Sequence, residues 1–290
     1  MDWKQKLFES YNEALAAGYD LYAGKRGKEA ANGLESGAYE EYREEAARRW
    51  NNRPLELVDG KTPVEILNGM AGLSDIVELY KEACIICDDG IPAILEEKLK
   101  GFGNEAEDRL MELACDKPLS GREEASMVAI LSIRLLGEWK AARLAPRLIK
   151  LLLDCNPEEL MRMEEIELAL VNIGDTGLLL EVMGPADSWS QPHEYLASAL
   201  AKAGGLNRSD SVYRCLKDYF LKYGKPVLGA SNLAEYGDSR AIPALRGYAE
   251  RHMAALDGET FYEIARAVKC LGGNMDDLDA EYRRIWKNRR

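Results

Sequence analysis

Only two histidines, His193 and His252, occur among the 290 residues of this chain. That scarcity removes most histidine-based metal cages and leaves few general bases. The sequence also lacks a Gly-rich phosphate loop, a Gly-x-Ser-x-Gly elbow and any paired Cys/His nucleophile pattern. No catalytic residue, metal or cofactor is therefore assigned. Long apolar runs are missing too: nothing approaches the roughly 18 uncharged residues that a spanning helix needs. The start, Met1-Asp2-Trp3-Lys4-Gln5-Lys6, is charged where an export signal is apolar, so the expectation is a soluble, cytoplasmic chain with no membrane contact. Positive charge is in short supply. Lys+Arg number 38 against 50 Asp+Glu, a net charge of −12, and residues 1–120 alone hold 15 against 25. DNA and RNA are held chiefly by Lys and Arg, so the balance argues against nucleic acid unless a local basic face exists.

A second CxxC is also absent. Cys84-Ile85-Ile86-Cys87 has the spacing of zinc and redox sites, but its apolar flank of Val77, Leu79, Tyr80 and Ala83 reads as helix interior. The two cysteines are read as small buried hydrophobes one turn apart, and all six as free thiols.

What is present is helix. Hydrophobic residues make up 47% of the chain, enough for a core, and they recur at i, i+3, i+4 and i+7 without sustained strand alternation. Gly137, Gly174, Gly204, Gly237 and Gly272 close successive apolar stretches as left-handed stops, at spacings of 37, 30, 33 and 35. Ser120-Gly121-Arg122-Glu123 has capping-box form, and Asn156-Pro157 places proline at a first helical position. The signals predict five helix pairs: 121–136 with 139–153, 157–173 with 177–184, 191–203 with 209–223, 226–236 with 239–255, and 258–271 with 275–288. A period of this size is that of a helical solenoid, whose pairs bury their apolar faces by stacking.

The fourth pair carries a further signal in Leu233-Ala234-Glu235-Tyr236-Gly237-Asp238-Ser239-Arg240-Ala241-Ile242-Pro243-Ala244-Leu245. This resembles the HEAT-like repeat family, including the short type found in bilin lyases: a small-residue helix, Leu-Gly-Asp, then Arg-Ala-x-Pro-x-Leu. Gly237 ends one helix, Asp238 or Ser239 caps the next, and Pro243 falls in its opening turn. Leu136-Gly137 with Arg143-Leu144-Ala145-Pro146-Arg147-Leu148 is a looser copy, and Ile173-Gly174-Asp175 repeats the turn. The resemblance covers residues 120–290 and implies an all-α, right-handed α-α superhelix of the armadillo type. Gly90-Ile91-Pro92-Ala93-Ile94-Leu95 echoes the motif, so the solenoid is expected to begin near residue 73, with Ser74-Asp75 capping a helix. Residues 1–72 show no such unit and are read as an acidic N-terminal helical cap. It has helices near 2–17 and 36–50, a loop at Gly24-Lys25-Arg26-Gly27-Lys28, and a short helix started by Thr62 and Pro63.

Lys140, Arg143, Arg147 and Lys150 stand at i, i+3, i+7 and i+10, which puts four cations along one helix face. The resemblance places the second helix of each pair on the concave surface. The stripe, with Trp139 beside it, is then a docking site for an acidic segment of a partner protein. The alternatives are a solvated face, or for Arg143 and Arg240 an inter-repeat ion ladder. Trp189 is the apolar fallback. His193, in His193-Glu194 at a helix start, is read as a surface residue. The expected function is a non-catalytic protein-binding scaffold or adaptor. A DNA glycosylase of the HEAT-like type is the alternative, opposed by the net charge, and a bilin lyase-like protein rests on the repeat type alone.

Overall fold

The apolar periodicity becomes sixteen α-helices in a computed structural model that describes residues 3–26, 36–116, 123–185 and 189–287. Among those residues the only β pairing is a single bridge, Leu55 with Lys61. The chain divides into two compact units, Met1–Ser132 and Ile133–Arg290.

The first unit holds α1 (Trp3–Arg26), α2 (Ser36–Asn51), α3 (Pro63–Gly69), α4 (Leu73–Ile86), α5 (Ala93–Lys100) and α6 (Asn104–Cys115), and the start of α7 (Glu123–Glu138). Thr62 starts α3 with a full capping box, its hydroxyl taking the Glu65 amide while the Glu65 carboxylate takes its own. α1 packs on α2 and α4. Trp50, on α2, is buried edge-on against Tyr11 and donates its indole N–H to Ser10 Oγ at 2.9 Å. Asn12 ties α1 to the end of α4 by donating to the Ile86 carbonyl at 2.8 Å.

Two expectations for this unit change. α1 runs on to Arg26, so Gly24–Arg26 are helical and not loop, while Gly27 and Lys28 lie outside the described residues. A mid-helix glycine costs only about 1 kcal/mol, and α1 has α2 alongside it. Ser74 and Asp75 fall inside α4, whose cap is Gly72 with no side-chain bond.

The second unit continues α7 and adds α8 (Ala145–Leu153), α9 (Leu160–Ile173), α10 (Thr176–Met183), α11 (Gln191–Leu206), α12 (Asp210–Lys222), α13 (Pro226–Tyr236), α14 (Ile242–His252), α15 (Gly258–Cys270) and α16 (Asp276–Lys287). α9, α11, α13 and α15 form a row in which each helix packs on the next. α8, α10, α12 and α14 each pack on the following member of that row. The main partner of each helix in the second row is thus the helix after it, a shift of one from the pairs that the sequence suggests. Small residues set this: a Cβ on Gly229 of α13 would lie 2.5 Å from the Cα of Phe220 on α12.

The glycine stops divide into two kinds. Gly174, Gly237 and Gly272 have φ of +75°, +75° and +84° and end their helices as left-handed residues. Gly137 and Gly204 lie inside α7 and α11 and are corrected to close-approach positions. A Cβ on Gly137 would stand 2.5 Å from the Cα of Ala169. The proposed cap at Ser120 lies outside the described residues. Pro157 sits in a turn closed by Glu159, which accepts the Asn156 amide at 2.8 Å, so α9 starts only at Leu160.

Candidate functional site

The predicted basic stripe is not one helix face. Lys140 has φ +54°, in the left-handed region, and Arg143 lies in a 3-10 turn, Ala142–Leu144. Only Arg147 and Lys150 are on α8 itself. The reason is local. After Gly137 the chain turns, and the Ala141 amide bonds the Leu136 carbonyl at 3.0 Å, which ends the helical register before Lys140 can join α8. All four cations are exposed, with Trp139 half-buried next to them. Lys140 and Lys150 make no ion pair among the described residues.

Trp189 is half-buried at the entry to α11. Its indole N–H goes to the Met183 carbonyl at 2.6 Å, and its ring packs 5.3 Å from Tyr219 and 6.2 Å from Tyr223. The Tyr223 hydroxyl donates to Glu194 at 2.8 Å, and Lys225 pairs with the same carboxylate. Burial and that carboxylate push the Tyr223 hydroxyl up to about 12. Tyr219 is 1% exposed, and its buried hydroxyl has no hydrogen-bond partner among the described residues.

His193 is in the first turn of α11 but is buried, 8% exposed, which corrects its reading as a surface residue. It serves as the third residue of a capping box: its Nδ1 accepts the Ser190 amide at 3.1 Å. Burial lowers its pKa. Cys84 is buried and Cys87 half-buried, and burial pushes both thiols up to about 12, as expected of packing residues. No group of three or more His, Cys, Asp or Glu among the described residues is placed to hold a metal ion.

Polar ties across the array keep the sequence period. Arg134 on α7 grips Glu165 on α9 with two bonds of 3.0 and 2.9 Å. Glu167 accepts from Ser198 at 2.6 Å and Lys202 at 2.7 Å on α11. Arg240 reaches Asp210 at 2.6 Å while Asp238 of its own turn holds it, and it lies 4.7 Å above the Tyr213 ring. Arg246 binds Asp277 at 2.6 Å. These partners are 30 to 35 residues apart. Arg240 thus pairs with an acid on an earlier helix, α12, the kind of tie that the sequence offered as its alternative role.

The outward side of α9 carries large apolar residues: Met161 is 63% exposed, and Leu160 and Leu168 are each 49% exposed. These residues were missed in the sequence because an apolar residue in an apolar helix does not reveal which side it faces. Among the described residues no helix is long and apolar enough to cross a membrane. Compared with protein-family models, curated proteins and solved structures, the chain matches none.

Proposed function

We propose that the chain is a protein-binding scaffold built on HEAT-like repeats, and that its docking face is the outward side of the row α9, α11, α13 and α15. The supporting observation is the exposed apolar surface that Met161 and Leu168 form, seven residues apart on one face of α9. The helices of this row pack directly on one another, α9 on α11, α11 on α13 and α13 on α15, so their exposed sides form one continuous surface. Several cations of the row are committed: Arg162 to Glu159, Lys202 to Glu167 and Arg266 to Glu263. Such a face suits an apolar partner surface and does not suit DNA, which needs a continuous positive track.

The test is a charge insertion at Met161 and Leu168, both to Asp, in the full chain. Captured proteins from the source organism are compared with wild type by mass spectrometry. Loss of a reproducible partner with an unchanged melting temperature supports the reading. An unchanged set of captured proteins removes it.

A second reading keeps the basic residues as the docking site for an acidic segment, because Lys140 and Lys150 are exposed and make no ion pair among the described residues. Lys150 is on α8 and Lys140 in the turn that precedes it. Reversing both to Glu separates the two readings, since exposed pairs contribute only about 0–1 kcal/mol to stability.

A further inference from the structure

In the first unit, α1 and α2 touch where Gly18 meets Ala46: a Cβ on Gly18 would lie 2.8 Å from the Ala46 Cβ. At this contact the two helices leave an open cleft of about 520 Å³. That is within the roughly 300–1,000 Å³ of small-molecule sites. Its apolar lining is Ala14, Ala17, Gly18, Ala46 and Trp50. Trp50 presents only carbon there, because its N–H is given to Ser10. The Tyr42 hydroxyl is turned to the Leu15 carbonyl at 3.4 Å.

The rim is charged unevenly. Glu45 is held by Arg48 at 2.7 Å and by Arg49 at 2.9 Å, so its charge is already balanced. Arg53, at the Trp50 end of the lining, is exposed and makes no ion pair among the described residues. At this end two guanidinium groups of the lining, Arg49 and Arg53, stand with the one carboxylate of Glu45, with which Arg49 already pairs. Glu41 stands at the other end of the rim and repels an anion there. An apolar trough with an uncommitted guanidinium at one end complements a molecule with one carboxylate on an apolar body.

We propose that this cleft binds a monocarboxylate amphiphile, its carboxylate paired with Arg53 beside Arg49 and its apolar body laid along Ala46, Gly18, Ala17 and Ala14. The site is independent of the docking face in the second unit.

Isothermal titration of the full chain with sodium decanoate tests it, with decyltrimethylammonium as the probe of equal tail and opposite charge. One decanoate per chain should bind saturably, and the cationic probe should bind at least about tenfold more weakly, a difference of about 1.4 kcal/mol. Arg53→Gln should weaken decanoate by a similar factor. Ala17→Trp, which fills the cleft from an exposed position, should abolish binding with an unchanged circular dichroism spectrum, and Ala14→Leu provides a second filling variant. Absence of saturable binding overturns the proposal. So does equal affinity for the two probes, or binding that survives both filling variants. A peptide with a free C-terminal carboxylate that binds where decanoate does not would replace it with a protein partner.

Discussion

One hydroxyl serves both polar groups of a single residue: Tyr236 Oη accepts the Ser209 amide at 2.8 Å and donates to the Ser209 carbonyl at 2.9 Å. Tyr236 is the last residue of α13, and Ser209 caps α12, with its own hydroxyl on the Val212 amide at 3.3 Å. The cap of one helix is thus held by the end of the next.

Tyr236→Phe leaves the ring in place and removes both bonds. Because Ser209 is exposed and water can reach it, the loss should be that of ordinary hydrogen bonds, about 0.5–1.5 kcal/mol. Urea unfolding checks this, and a loss below a few tenths of a kcal/mol would show that water replaces the hydroxyl.

Gly137→Ala should destabilise, against helix propensity. In an open helix the change gains about 1 kcal/mol, but here the new methyl meets the Ala169 backbone, and overpacking costs roughly 1–3 kcal/mol. Ala169→Gly should not rescue it, because the obstacle is the Cα. A stabilised Gly137→Ala would mean that α7 and α9 separate easily.

The two ion ladders should differ in strength. Glu165 is 9% exposed, so Arg134→Ala strands a buried carboxylate and should cost about 2 kcal/mol or more. Asp210→Ala removes the partner of a pair whose two side chains are each more than half exposed, and should cost about 0–1 kcal/mol. Asp238, which Arg240 holds below the usual carboxylate range, contributes stability that is present above the unfolded pKa of about 3.9 and lost as pH falls through the depressed value. That loss should be smaller in Arg240→Ala. Equal costs for Arg134→Ala and Asp210→Ala would remove burial as the deciding factor.

His193 should make stability fall on acidification. Its burial lowers the folded pKa below the ordinary value of about 6.5. Stability should therefore hold above that value and decline as pH drops from it toward the folded pKa, because the unfolded chain takes the proton first. His193→Gln keeps an acceptor for the Ser190 amide and has no proton to gain. Urea curves at pH 7.5 and 5 should show a smaller change for His193→Gln, and an equal change would exclude His193 as the cause.

Thiol reactivity should follow exposure. Cys115 and Cys270 are exposed, whereas Cys84 and Cys87 are pushed up to about 12. Titration with a chromogenic disulfide at pH 8 should modify the first two quickly and the CxxC pair only on unfolding. Rapid reaction of Cys84 would refute its packing role.

The parts legible in the sequence are those fixed within a few residues. Gly237, Asp238 and Pro243 specify a stop, a cap and a first turn by local chemistry, and α13 runs over the predicted 226–236. Gly137 was visible as a glycine, but its cause was not, since the residue it accommodates is Ala169 on another helix. The basic stripe failed for a related reason: its spacing assumes an unbroken helix, and a left-handed Lys140 cannot be read from the cations themselves. The cleft lay in the spacing of Ala14, Ala17 and Gly18, a small-residue face at i, i+3 and i+4. Without α2 opposite, that face is indistinguishable from any alanine-rich helix.

The ties that join residues 30 to 35 apart also give the second unit a mechanical character. Each reaches one helix pair along, so tension applied at the two ends of the unit is passed from pair to pair in series. Under an optical trap the array should lengthen in steps of one pair at modest force, and each released pair should re-form against its neighbour when the load is relaxed.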